Sequence, residues 1–118
     1  MTVFAVMLGG AVGAGLRYGL SLILNPPIGA GMPWGTLTAN LMGCLLIGWL
    51  SSSLSEAPEA VRLGVLMGVL GGFTTFSSFG LETIRLMQAG EWMSALTYVL
   101  LSNGFGLLAV ILGLKIAG

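Results

Sequence analysis

Residues 61–87 form an apolar stretch long enough to cross a bilayer, yet its middle runs Gly71-Gly72-Phe73-Thr74-Thr75-Phe76-Ser77-Ser78-Phe79. Two glycines loosen the backbone there. Four hydroxyl positions follow, interrupted by a single ring, and phenyl rings recur every third residue. A lipid-facing helix has no use for such a segment. Polar or irregular backbone at membrane depth is tolerated only where it is buried in protein or lines a watery path. The segment is therefore expected to be the working part of a membrane protein, with the third helix broken in mid-membrane at Gly71-Gly72. The alternative at those two residues is a simple glycine kink.

The whole chain supports a membrane setting. Of its 118 residues 56% are hydrophobic and 7% charged, with a mean hydropathy of +1.02, whereas soluble domains carry about 25% charged residues. It has no His and one Cys, Cys44. That excludes His/Cys zinc sites, a His-based triad and an intrachain disulfide. With no nucleophile–base pair in sight, an enzyme is not expected, and zero net charge gives no indication of nucleic-acid binding.

Crossing a core of about 30 Å takes about 20 helical residues, and four segments qualify, at about 4–24, 34–54, 61–87 and 92–116. The first lacks a basic leader and is too long for a signal-peptide core, so it counts as a span. Asn25-Pro26-Pro27 breaks the chain after it, and a Gly/Pro loop runs to Pro33. Nothing remains for a soluble domain, so 1–118 is expected to be one all-α, four-helix transmembrane unit. Glycines recur at four-residue spacing (Gly9 and Gly13, Gly15 and Gly19, Gly64, Gly68 and Gly72), the pattern of close helix packing.

Orientation in a membrane follows Lys/Arg bias between its two sides. Arg62 and Lys115 fall on one side, Arg17 and Arg85 on the other. An even count is expected to let copies insert both ways and pair as an antiparallel, dual-topology homodimer. A buried Arg17 would remove that balance.

Three spans carry polar stripes. In the third, Thr75, Ser78, Phe79 and Glu82 share a face if the chain is helical from Thr75 onward. The fourth has Tyr98, Ser102 and Gly106 with Asn103 beside them. The second has Thr36, Asn40, Gly43 and Cys44. Each stripe alone is accounted for by an interhelical hydrogen bond worth about 1 kcal/mol; three together favour a lined path. Its donors are neutral, which suits conduction, where an ion must enter and also leave. Phe73, Phe76 and Phe79 are explained on composition alone by packing. Arg17 is expected to snorkel to the interface, or to raise anion concentration at a vestibule. Glu82 and Arg85 are spaced for a helix-surface ion pair. Carbonyls freed at the glycine break are suited to a cation such as Na⁺.

These residues resemble those of the Fluc (CrcB) fluoride channels. The likeness covers Gly9-Gly10, Gly13 and Arg17-Tyr18 in the first span, Gly35-Thr36-Leu37, Asn40 and Gly43 in the second, and residues 71–79 in the third. It implies passive export of cytoplasmic fluoride, relieving fluoride toxicity, across a bacterial inner membrane. It also implies an antiparallel homodimer with two pores. Phe76 and Phe79 then match paired rings whose edges face the ions, and Asn40 matches a pore asparagine. Thr75, Tyr98 and Ser102 match a polar track, and Glu82 a pore-proximal carboxylate. The carbonyls of Gly71 and Thr74 match those holding a structural Na⁺ at the dimer interface. Thr38, Ser78 and Arg17 are weaker pore candidates. Where some members carry a further hydroxyl, this chain has Gly106. A small proton-coupled multidrug exporter is the other reading, but it needs a carboxylate in the first helix, and no acidic residue precedes Glu56.

Overall fold

A computed structural model describes residues 1–25 and 31–118. Pro26, Pro27 and most of the expected Gly/Pro loop lie outside the described residues. All regular secondary structure among the described residues is helical, in four segments. The first helix is Thr2–Leu24 and the second Trp34–Ser53. The third segment occupies Glu59–Gln88 and the fourth Trp92–Ala117. The expected limits agree with these helix bounds to within two residues at each end.

The first, third and fourth segments are long and apolar enough to cross a membrane. Large apolar side chains such as Phe4, Leu8, Leu22, Leu107 and Leu112 face outward. That is the surface of a multi-pass membrane protein. The second helix, of 20 residues, is less apolar because it is the internal one. Gly35, Thr36, Leu37, Ala39, Gly43 and Gly48 are buried along it. Its start is capped from a distance: Gly35 N donates to Asn25 Oδ1 at 2.7 Å, satisfying one of the open first-turn N–H groups.

Two glycine seams set the packing. The first helix lies on the upstream half of the third segment. A Cβ on Gly68 would stand 2.7 Å from Val6 O, and one on Gly72 2.6 Å from Gly10 O. Gly9 and Gly13 are equally tight against Gly64, Gly68, Val69 and Phe73. The second helix lies on the end of the fourth, where a Cβ on Gly113 would stand 2.7 Å from Trp49 N. Gly15 and Gly19, by contrast, have nothing within 4 Å of a would-be Cβ.

Two π turns interrupt the α-helical winding, Gly64–Val69 and Leu101–Phe105. A π turn is wider than the α-helical 3.6 residues per turn. In the third segment this keeps Gly64, Gly68 and Gly72 on one face over eight residues. Nothing in the local composition announces either turn.

The helical backbone of the third segment ends at Phe73 and resumes at Ser77. Thr74 is extended, with φ −91° and ψ 159°. This corrects the placement at Gly71-Gly72, which are helical. Those glycines do not unwind the chain. Gly72 is there because the Gly10 backbone leaves no room for a side chain.

Candidate functional site

The interval 74–76 is organised by one side chain from the second helix. Asn40 Nδ2 donates to the Thr75 carbonyl at 3.1 Å, and Asn40 Oδ1 accepts from Thr75 N at 2.8 Å. The amide thus replaces a piece of backbone that the helix has given up. Thr75 Oγ1 then accepts from Ser78 N at 3.2 Å, covering a first-turn N–H of the downstream half. Thr74 Oγ1 donates back to Leu70 O at 2.9 Å. The two diverted N–H groups, of Thr75 and Ser78, are the α-helical partners of the Gly71 and Thr74 carbonyls. Those two oxygens have no donor among the described residues.

Around this interval lies a cavity of about 460 Å³. Asn40, Thr74, Thr75, Phe76, Phe79 and Ser102 all line it, as do Gly71, Cys44 and Asn103. Residues predicted from three separate spans are therefore brought together. Ser102 Oγ is buried and has no hydrogen-bond partner among the described residues. Asn103 instead donates to Val99 O at 2.9 Å. Phe76 is 80% exposed, and its ring centroid is 5.8 Å from that of Phe79, at 42°. Phe73 leaves this set, buried and facing the opposite groove beside Leu70 and Met42. The even spacing of the three phenyl rings does not survive the change from helical to extended backbone.

Glu82 and Tyr98 form a second cluster. Tyr98 OH donates to Glu82 Oε1 and Thr36 Oγ1 to Glu82 Oε2, both at 3.0 Å. Tyr98 is fully buried and Thr36 nearly so. Both carboxylate oxygens are taken inward, which corrects the expected surface pair with Arg85. Phe79 joins the two clusters, with its ring 5.0 Å from that of Tyr98. Thr36 was legible as a stripe residue but not as the partner of Glu82. Removing one donor leaves a half-buried carboxylate oxygen open, which costs about 1–3 kcal/mol. Tyr98→Phe is accordingly expected to lower thermal stability of the purified protein without changing its helix content. An unchanged melting temperature by circular dichroism would mean that the pair contributes nothing.

Other candidates fall outside the cavity. Thr38 neither lines it nor enters any of these hydrogen bonds. Ser78 enters through its backbone N–H alone. Helix begins at Ser77, so Thr75 does not belong to the face of Ser78, Phe79 and Glu82. In the fourth segment the π turn carries Ser102 to the cavity. Gly106 is buried beside Cys44, whose sulfur would stand 3.5 Å from a Cβ there. Arg17 is outside the cavity as well, and its Nε donates to Gly72 O at 3.2 Å.

Fold and site together define a multi-pass helical membrane protein with a largely apolar cavity, carrying a few polar groups, beside an interruption in one helix. Residues 4–114 match the family described as CrcB-like protein, Camphor Resistance (CrcB), and the chain belongs to that family. It is 46% identical over 114 residues to a protein of Chloroflexus aurantiacus, covering 94% of this chain and 90% of the relative. A Thermus thermophilus protein is 49% identical over 115 residues, 96% and 91% of the two chains. One from Magnetococcus marinus is 45% identical over 119 residues, 98% and 97%. Each of these relatives is named fluoride-specific ion channel FluC.

Proposed function

We propose that this chain is a fluoride-selective channel through which cytoplasmic fluoride leaves a bacterium passively across its inner membrane. The observation that carries this is near full-length likeness, at 42–49% identity, to proteins named as fluoride-specific channels. The cavity chemistry agrees. Fluoride is small and strongly hydrated, so a path must replace its water with donors at each step. Asn40 keeps one amide hydrogen beyond the one given to Thr75, and the unpartnered Ser102 hydroxyl lines the same space. Phe76 and Phe79 offer ring edges, which are electropositive. Thr75 also lines the cavity, and the Glu82–Tyr98 pair stands behind its wall, against the Phe79 ring. Neutral donors bind weakly enough to release the ion.

All four helical segments cross the membrane in this reading, with the interruption at 74–76 near its middle. Two copies pair antiparallel, giving two pores. A cavity with an exposed ring at its lip, and carbonyls without donors among the described residues, supports a partner over that face. With Arg17 held at Gly72, the remaining Lys/Arg count is two (Arg62, Lys115) against one (Arg85). That bias is too small to impose one orientation. The Gly71 and Thr74 carbonyls fit a structural Na⁺, since hard neutral oxygens are the donors such an ion takes. When bound, it would neutralise their unpaired dipoles and tie the copies together.

Fluoride efflux from liposomes, read with a fluoride electrode and with chloride as control, tests the function. Equal fluoride and chloride release, or none, would sink it. Phe76→Ile and Phe79→Ile are expected to lower fluoride flux by roughly tenfold, the equivalent of about 1.4 kcal/mol, with the dimer intact on gel filtration. Flux at the wild-type rate in both would remove the rings from the path.

A further inference from the structure

Polar side chains reach the interruption in the third segment from both sides. Upstream, Arg17 Nε donates to Gly72 O at 3.2 Å. Gly72 lies in the last turn of the upstream half, where carbonyls lack helical partners and the negative end of the helix dipole lies. Downstream, Asn40 holds both the N–H and the carbonyl of Thr75. We propose that Arg17 and Asn40 form a two-point clamp that holds the third segment open, and that Arg17 is a positioning residue rather than part of the ion path.

Arg17 does not line the cavity; it is half-buried, with its Nε engaged on backbone. The two clamp points, Gly72 and Thr75, bracket the residues Phe73 and Thr74, where the helix ends. Their choice also decides which oxygens stay free. Arg17 occupies the Gly72 carbonyl, while those of Gly71 and Thr74 are left without donors among the described residues. Arg17 reaches its target because Gly13, one turn earlier on the same face, sets the first helix directly on Val69 and Phe73. Absent the clamp, Thr75 N has a competing acceptor in Gly71 O, its ordinary α-helical partner. The segment thus has two available pairings, and the two side chains select one. This holds whichever ion the cavity conducts.

Hydrogen exchange by mass spectrometry on the full-length protein in lipid nanodiscs tests it. Arg17→Met puts a methyl group where Nε stands, so it keeps the stem and loses the donor to Gly72 O. With one clamp point gone the segment passes back and forth between its two pairings, and amides 72–78, unpaired at each passage, are expected to exchange about tenfold faster, with those of the fourth segment unchanged. Arg17→Lys keeps charge and reach but not the fixed guanidinium geometry, and is expected to exchange about threefold faster than wild type. If Arg17→Met does not yield folded protein, Arg17→Lys decides the matter. Exchange in 72–78 no faster than wild type overturns the clamp, as does a uniform acceleration over all four segments. Fluoride efflux of the wild type, from the same purified protein in liposomes, keeps this outcome separate from that of the functional proposal.

Discussion

Asn40→Ala is expected to abolish measurable fluoride flux while leaving a folded, largely helical protein. The reason lies in what the amide does, not only in where it sits. It supplies the donor and the acceptor for both backbone groups of Thr75. Leaving a polar group unpaired costs about 1–3 kcal/mol each, and no bulk water is at hand in a bilayer to repair the loss. Thr75 N then has one obvious recourse, the Gly71 carbonyl. Taking it would extend the upstream helix, move Phe76 and re-pair an oxygen proposed to face a cation. A bias of about 2.7 kcal/mol toward that pairing already corresponds to a hundredfold loss of the open form. Asn40→Asp is expected to fail as well. It keeps an acceptor for Thr75 N but sets a second oxygen against the Thr75 carbonyl. Efflux from liposomes by fluoride electrode is the measurement. Half the wild-type rate or more in Asn40→Ala would show that the amide is dispensable to the path.

The same residue shows how much was legible in advance. Segment limits follow from apolar length and from breakers, both local, so they emerge from the chain alone. Asn40 was legible too, because an amide in an apolar stretch demands a partner. Its partner was not, since Thr75 is 35 positions away. The interruption was misplaced by about three residues for a related reason. Glycine marks where backbone can deform or approach closely, but the departure from helix is decided by donors arriving from other helices. Gly71 and Gly72 serve close packing, and Thr74 to Phe76 carry the change. Seams of glycine were readable where they repeat, as in Gly64, Gly68 and Gly72. Gly48 and Gly113, which belong to no four-residue glycine repeat, gave no sign of facing one another. The π turn at Leu101–Phe105 was hidden, and with it the route by which Ser102 reaches the cavity. Thr36, Glu82 and Tyr98 each stood out as polar. That they form one buried cluster is a property of three helices meeting.

Among the described glycines, Gly13→Ala should be the most damaging substitution to alanine. Its Cβ would overlap the Val69 carbonyl oxygen and lie 2.8 Å from Phe73 N and 2.9 Å from Val69 C. All three atoms are backbone, so no rotamer change relieves the contact. Overpacking typically costs about 1–3 kcal/mol and occasionally more; rigid neighbours place this case at or above the upper end. Separation of the two helices would also carry Arg17, one turn on, away from Gly72. Stability and flux are therefore expected to fall together. Gly15→Ala is the matched control. Nothing in the chain lies within 4 Å of its would-be Cβ, and alanine gains up to about 1 kcal/mol over glycine in a helix. Thermal unfolding and gel filtration of the two variants in detergent, beside wild type, would separate the cases. Should Gly13→Ala melt with wild type, the first helix would not be seated on the third segment by its glycines, and the path from that seam to Arg17 and the interruption would lose its first step.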